Sequence, residues 1–309
     1  MVEGREPDLT ELEMQVRDSL RRADEGPLRV LGYGEITLVL GVPADGPRWA
    51  CKRLPDFPDA AAAATYRDRF ERYLDLLSER GVTPVPSRFR VLDGVAAPLG
   101  GSRVVGYVVQ PALDPGTLGP RVLAAAVPDP DHPVVTGIVD AVLSVCDDRT
   151  GLDGQLSNWA WDGSTLSYLD VTTPMLFDHT GRFELDMTLF LAAYPWALRA
   201  VIGRFVAPGV VGAYRGPRHV LVDVAANLVK ERLDPWIPAV VTAANRALSG
   251  PGAPSAVEAP VTEAEVRSYY RSDARLWEAM FRLRRADRWW QRRVRRRDYQ
   301  FLLPRSIDR

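Results

Sequence analysis

The pattern of apolar residues changes once along the chain, and this change constrains the fold more than any other feature. Before the segment "DPGTLGP" at residues 114–120, apolar residues come in short blocks that Gly and Pro interrupt, which is typical of strands. After it, apolar residues recur at helical spacing over longer stretches. Two halves of different periodicity joined by a short linker favour an α+β chain with two lobes and a cleft between them.

The strand-rich half is predicted to hold a small sheet and two helices. Residues 8–24 have helical spacing, and residues 59–80 begin at the capping residue Asp59 and end before Gly81. Three extended segments lie between these helices and two follow the second, in the stretches "PLRVLGYGEITLVLGV", "PRWACKRLP", "SRFRVLDGVAAPL" and "RVVGYVVQPAL".

The second half is predicted to be helical apart from one hairpin. The predicted helices cover residues 133–148, 186–206, 217–232 and 235–249, and a charged helix runs from 262 to about 297. The organisation is therefore an N-terminal helix at 1–26, a first lobe at 27–112 and a second lobe at 113–309.

Composition excludes several classes of protein. Of 309 residues, 46% are apolar and 26% charged, as in soluble globular proteins. Two cysteines and three histidines without ligand spacing give no disulfide framework, zinc site, metalloprotease or serine hydrolase pattern. The polar, acidic start argues against a secretory signal, and the arginines Arg199 and Arg204 within the apolar stretch from Leu189 to Tyr214 argue against a spanning helix. We expect a cytoplasmic protein without a transmembrane segment.

Lysine is nearly absent, which draws attention to Lys52. The chain has only two lysines, Lys52 and Lys230, and uses arginine elsewhere. Gly32 and Gly34 of "LGYGEITLV" lie in a predicted turn between two strands, and Lys52 lies on the strand after these, eighteen residues after Gly34. At this spacing a strand lysine can contact the α- and β-phosphates of a nucleotide that the turn holds. The two glycines alone are more typical of a plain hairpin.

A lysine in this position needs an anionic partner, which the following helix can supply. Glu71 is the favoured partner, nineteen residues after Lys52. Glu79 is a competitor, and Asp68 and Asp75 share neighbouring faces of the helix. Any one of these acids can also belong to a solvated helix face.

Three polar residues in "GLDGQLSNWAWDGSTLSYLDV", residues 151–171, are the candidate catalytic set. Asp153 precedes Asn158 by five residues, and Asp170 follows twelve residues later, after a predicted hairpin with a turn at "DGS". Asp153 can accept the proton of an attacking hydroxyl. Asn158 and Asp170 can ligate Mg²⁺, which takes few protein oxygens beside phosphate and water.

With these motifs in order, the chain resembles the protein-kinase-like superfamily, especially the branch of aminoglycoside phosphotransferases and choline kinases. The resemblance covers residues 27–180 and implies a bilobal fold with a small antiparallel-sheet N-lobe and a larger helical C-lobe. It implies ATP and Mg²⁺ as cofactors. It implies catalytic roles for Asp153 and Lys52, metal binding by Asn158 and Asp170, and nucleotide binding by Gly32, Gly34, Lys52, Glu71 and the backbone near Gln110 and Ala112.

Five positions depart from the family pattern. Thr37 stands where a third glycine often lies, Gly151 where a histidine commonly precedes the catalytic Asp, and Gln155 where Lys or His is usual. In the second metal motif, which is "LDV" at residues 169–171 in this chain, Val171 and Thr172 stand where an aromatic residue and a glycine usually follow the Asp.

The function expected from these features is transfer of the γ-phosphate of ATP to a hydroxyl of a small metabolite or antibiotic-like acceptor. The alternatives are a catalytically weak kinase-like nucleotide-binding module, either a pseudokinase or a regulatory domain, and an AMP transferase using the same site.

The C-terminal helix is strongly basic, with nine arginines between Arg282 and Arg297. The favoured interpretation is a helix that packs its apolar residues on the second lobe and exposes its arginines. Binding of nucleic acid or an anionic surface through this helix, or of a phosphorylated or carboxylated acceptor, is an open but less favoured alternative.

Overall fold

The protein has an α+β fold with a five-stranded antiparallel sheet and a helical portion. The computed structural model describes residues 6–33, 37–92, 104–191, 194–195, 198–199, 202–250, 259–296, 299 and 301–302. The sheet has the order β1-β2-β3-β6-β5. Its strands are β1 (Val30–Tyr33), β2 (Leu38–Val42), β3 (Trp49–Arg53), β5 (Arg88–Leu92) and β6 (Val105–Pro111).

Two helices cover the two faces of this sheet, as the alternation of side chains along β6 requires. Val105, Tyr107 and Val109 pack with α1 (Leu9–Arg22) in one core cluster. Val108, from the other face of the same strand, packs with α2 (Ala60–Glu79) in the main core. The sheet is therefore the middle of three layers.

A buried ion pair fastens α1 to the sheet. The carboxylate of Glu13 is 1% exposed and accepts hydrogen bonds from Nε and Nη2 of Arg53, at 2.8 and 2.9 Å. The Tyr107 hydroxyl donates to the same carboxylate at 2.7 Å. Burial opposes ionisation of Glu13, but the bonds from Arg53, Arg17 and Tyr107 hold its pKa below the usual value.

Helix α2 begins as the sequence predicts, because Oδ1 of Asp59 accepts the N–H of Ala62 at 2.8 Å. Its buried side chains are Ala63, Tyr66, Phe70, Tyr73 and Leu77, at steps of three and four residues. This face turns toward the core that the sheet shares with the second half of the chain.

A second, three-stranded sheet with the order β4-β8-β7 joins the two halves. Strands β7 (Trp159–Trp161) and β8 (Leu166–Tyr168) form the predicted hairpin. The two-residue strand β4 (Thr83–Pro84), which no sequence pattern predicts, pairs in parallel with β8. The hairpin is thereby held against the segment that follows α2.

The rest of the described chain is mainly helical. The helices are α3 (Gly119–Ala124), α4 (Pro133–Val145), α5 (Met187–Leu191), α6 (Ala207–Ala213), α7 (Pro217–Lys230), α8 (Ile237–Leu248) and α9 (Glu263–Arg293). Within the described residues, no helix is both long and apolar enough to cross a membrane.

The prediction of a single helix over residues 186–206 is wrong. The described residues of this region form the short helix α5, a turn at Tyr194 and a π-helical segment, Ile202–Val206, that leads into α6. Pro195 lies at this break, where a residue without an N–H cannot continue the helical ladder.

Candidate functional site

Lys52 lies on the face of β3 that turns away from α1. Its strand neighbours Cys51 and Arg53 face the α1 layer, so the period-two alternation sends Lys52 to the opposite side. There Nζ donates to the carbonyl oxygen of Leu169 at 2.7 Å and lies 3.7 Å from Oδ1 of Asp170. Burial lowers the pKa of Lys52, and the nearby Asp170 carboxylate opposes that shift. The predicted strand lysine and second metal motif are thus adjacent in space.

The predicted pair of Lys52 with Glu71 does not form. Glu71 is exposed, one position along the helix from the buried Phe70, so it lies about 100° away from the face that α2 buries. The competing acids Glu79, Asp68 and Asp75 are exposed as well. The acidic partner of Lys52 is Asp170 itself.

Helix α2 instead contacts the loop before Asp153 and the segment after Asp170 through two buried tyrosines, which are seven residues apart. The hydroxyl of Tyr66 donates to the carbonyl oxygen of Thr172, and that of Tyr73 to the carbonyl oxygen of Gly151, each at 2.9 Å. Burial raises the pKa of both phenols well above the usual value, so each remains a donor. The helix predicted to supply a carboxylate supplies two neutral hydroxyl groups.

Backbone contacts brace the loop that carries Asp153. The N–H of Gly151 donates to Met175 O at 2.9 Å, and a Cβ at Gly151 would lie 2.9 Å from Tyr214 O. A Cβ at Gly154 would lie equally close to the side chains of Val220 and Val224 on α7. The glycine at 151, where the kinase-like pattern has histidine, leaves space for the backbone of Tyr214.

Asn158 connects this loop to the hairpin. Its Nδ2 donates to the carbonyl oxygen of Asp153 at 3.2 Å, and its own carbonyl accepts the N–H of Leu169 at 2.8 Å. Its side-chain Oδ1 has no hydrogen bond with the described residues. These bonds bring Asp153, Asn158 and the residue before Asp170 into one connected group.

Asp170 is oriented by Thr172, two residues later in the chain. Its Oδ1 accepts the Thr172 hydroxyl at 2.7 Å and faces Lys52, whereas Oδ2 has no hydrogen bond within the described part of the chain. The side chain is 31% exposed. One carboxylate oxygen is therefore fixed by the protein and the other is available to a ligand.

The donor set of Asn158 Oδ1 and Asp170 Oδ2 fits Mg²⁺ better than any metal that needs a complete protein cage. No group of three or more His, Cys, Asp or Glu side chains that could hold a metal occurs among the described residues. Mg²⁺ bound with a triphosphate takes most of its oxygen ligands from phosphate and water, so two protein oxygens are enough.

The glycine turn is described only in part. Gly32 lies in β1 opposite Val39, and the space where its Cβ would stand is open. Gly34 lies outside the described residues.

Of the backbone groups near Gln110 and Ala112 that were predicted to hold adenine, the N–H of Ala112 is already used within the protein. The N–H of Ala112 donates to Arg48 O at 2.9 Å and extends the ladder between β3 and β6. The side chain of Gln110, 2% exposed, donates to Leu169 O and to the Ser87 hydroxyl. Gln110 therefore shares the Leu169 carbonyl with Lys52, and the N–H of Ala112 is not free to bind a purine.

A buried polar group on α7, which the sequence analysis missed, lies beside the Asp153 loop. Asn227 donates to Oε1 of Gln155 at 3.1 Å, and Asp223 lies one helical turn earlier on the same face. Both residues are less than 8% exposed, and Oδ1 of Asn227 and Oδ2 of Asp223 have no hydrogen-bond partner within the described structure. These two buried oxygens, named here the α7 acceptor pair, are hydrogen-bond acceptors without a partner among the described residues.

Burial, together with the negative charge of Asp273, raises the pKa of Asp223 to about 6. Hydrogen bonds with Tyr269 and Gln155 and the positive charge of Lys230 oppose this rise in part. The signal available in the sequence was an Asp and an Asn four residues apart within the otherwise apolar run "VLVDVAANLV".

Comparison with protein families gives a match over most of the chain. Residues 11–288 match the model of a family described as "Family of unknown function (DUF6206)". No curated protein matches the chain.

Proposed function

The chain belongs to the DUF6206 family, and we propose that it is an ATP- and Mg²⁺-dependent phosphotransferase with a protein-kinase-like fold. The proposed reaction moves the γ-phosphate of ATP to a hydroxyl of a small molecule. The observation that carries the proposal is the approach of Lys52 Nζ to Leu169 O and the Asp170 carboxylate.

The strand order supports the kinase-like part of the proposal. The lysine strand is third in the chain, the next element is a helix, and the sheet order is β1-β2-β3-β6-β5. The hairpin between Asn158 and Asp170 then brings the carbonyl oxygen of Asn158 to the N–H of Leu169, whose own carbonyl oxygen accepts from Lys52. These four features agree with the resemblance found in the sequence.

Each residue has a defined part in the proposed chemistry. Lys52 would hold the α- and β-phosphates, while Asn158 and Asp170 would hold Mg²⁺. When bound, Mg·ATP supplies a transferable phosphoryl group whose negative charge the metal partly neutralises. Asp153 orients the acceptor hydroxyl and takes its proton on a carboxylate oxygen.

The α7 acceptor pair is the proposed contact for the acceptor molecule. It lies beside Gln155, two residues from Asp153, and both of its oxygens lack a hydrogen-bond partner among the described residues. A molecule with hydroxyl or amino donors satisfies it, whereas an apolar acceptor leaves the buried oxygens unpaired.

One observation favours a second function, a nucleotide-binding module with weak or no turnover. Gln155 occupies the position where the kinase-like family that this chain resembles usually has Lys or His. Its side chain accepts a hydrogen bond from Asn227. A neutral amide held in this way adds no positive charge to the transferred phosphoryl group. AMP transfer is the third alternative, and it differs in releasing pyrophosphate.

The test is ATP turnover with identification of the products by mass spectrometry, in wild type and in Asp170→Asn. We expect ADP release in the presence of an acceptor and loss of turnover in the variant, with unchanged circular dichroism. Asp75→Asn, at an exposed position of α2, is the matched control. Pyrophosphate release indicates AMP transfer, and nucleotide binding without any product indicates the binding module. Full activity in Asp170→Asn contradicts the assignment.

A further inference from the structure

Helix α9 carries an exposed apolar stripe that the rest of the described structure leaves uncovered. Leu276, Leu283 and Trp290 are 54%, 41% and 41% exposed and lie at intervals of seven residues. Ala279 and Ala286, also exposed, occupy the positions three residues after each leucine. These five residues, named here the α9 seam, have the a/d spacing of a coiled-coil helix.

The α9 seam is distinct from the face that attaches α9 to the protein. Val266, Met280 and Asp287 are buried, and the helix packs mainly on α7. In the C-terminal segment, Phe301 lies against Arg284, on the other side of the helix from the seam. The helix therefore has one inward face for its own fold and a second apolar stripe on its surface.

Arginine dominates the exposed surface on the far side of the seam. The exposed arginines are Arg271, Arg275, Arg282, Arg285, Arg292, Arg293, Arg295 and Arg296. Between residues 271 and 296, Glu278 is the sole exposed acidic residue, and it pairs with Arg282. A partner on the seam therefore meets a strongly positive edge.

We propose that the α9 seam docks an acidic amphipathic helix of a partner protein. The stripe has two apolar positions in seven, which suits a helix partner, whereas an interfacial membrane helix presents a broader apolar face. The alternation of large and small side chains lets a second helix approach closely at the alanines. If a second copy of α9 docked on the seam, the arginines of the two helices would repel each other. A partner helix with glutamates beside its leucine stripe would instead complement the exposed arginines of α9.

The experiment uses the full chain and a fluorescent peptide with Leu at a and d and Glu at e and g of each heptad. Its glutamates oppose self-pairing of the peptide. A matched peptide has Lys in place of Glu. We expect saturable binding of the acidic peptide, weakened by salt and at least tenfold weaker in the double variant Leu283→Gln, Trp290→Gln. No such binding is expected for the Lys peptide.

Two controls keep the result specific. The variant Val127→Gln changes an 82% exposed apolar residue outside α9 and should bind like wild type. Unfolding midpoints of all variants show that the fold is retained.

Equal binding of both peptides, or no binding, overturns the proposal. Seam-dependent binding to phosphatidylserine vesicles without peptide binding assigns the seam to a membrane, and a seam-dependent dimer in sedimentation assigns it to a second copy. Both outcomes also overturn the proposal.

Discussion

The ammonium nitrogen of Lys52 lies 3.7 Å from Oδ1 of Asp170, although 117 residues separate the two in the chain. Lys52 comes from the third strand of the five-stranded sheet, and Asp170 follows the hairpin of the second sheet. This contact joins the sheet to the loops that carry Asp153 and Asn158. It also leaves the other carboxylate oxygen of Asp170 for a ligand.

The first prediction concerns Lys52. Replacing Lys52 by Met keeps an apolar stem of similar length in the buried site and removes the charge that the phosphates would meet. We expect nucleotide affinity to fall at least tenfold, which is about 1.4 kcal/mol. Lys230→Met is the matched control, because Lys230 is the only other lysine and lies on α7. Equal loss in both variants, or in neither, argues against a phosphate role for Lys52.

The second prediction concerns the buried Glu13, which accepts hydrogen bonds from Arg53 and Tyr107. Changing Glu13 to Ala leaves the Arg53 guanidinium buried without its main partner. We expect the free energy of unfolding to fall by about 3–5 kcal/mol in urea titrations. The exposed Glu11 on the same helix provides the control, and Glu11→Ala should change stability by less than about 0.5 kcal/mol. A near-neutral Glu13→Ala would show that the pair does not hold α1 on the sheet.

The third prediction concerns the pH dependence of stability and rests on Asp223. Its pKa is about 6 in the folded protein against an ordinary value of 3.8, so the folded state binds more protons between these values. Stability therefore decreases as pH rises through this window, and the burial cost is fully present above it.

Asp223→Asn removes that dependence, because the amide does not titrate. Relative to wild type, the variant should gain about 1 kcal/mol in unfolding free energy between pH 5 and pH 7. Chemical denaturation at the two pH values measures the difference, with Asp75→Asn as the exposed control. An unchanged difference between variant and wild type would mean that Asp223 does not titrate in this range.

Local signals in the sequence predicted much of the fold. The Asp59 cap, the hairpin turn at "DGS" and the position of Lys52 on a strand each depend on a few adjacent residues, and the structure contains all three. The break near Pro195 was missed because the apolar residues on both sides of it keep a helical period. The strand β4 is two residues long and exists only through its pairing with β8.

The candidate site was predicted less completely, for reasons of helix phase and tertiary packing. Glu71 was chosen for its distance along the chain, but the buried aromatic residues of α2 determine which face is inward, and Glu71 lies off that face. The contacts of Tyr66 and Tyr73 with loop carbonyls depend on residues about eighty or more positions away. Asp223 and Asn227 were visible as a polar pair in an apolar helix, but their closeness to Gln155 is a tertiary fact.

The most direct test of the central claim is calorimetric titration of the full chain with a nonhydrolysable ATP analogue, with and without Mg²⁺. The account predicts saturable binding that Mg²⁺ strengthens, with the Mg²⁺ effect lost in Asp170→Asn and retained in Asp75→Asn. Absence of binding, or binding that neither Mg²⁺ nor the Asp170→Asn change affects, would contradict the claim that Lys52, Asn158 and Asp170 form a nucleotide and metal site.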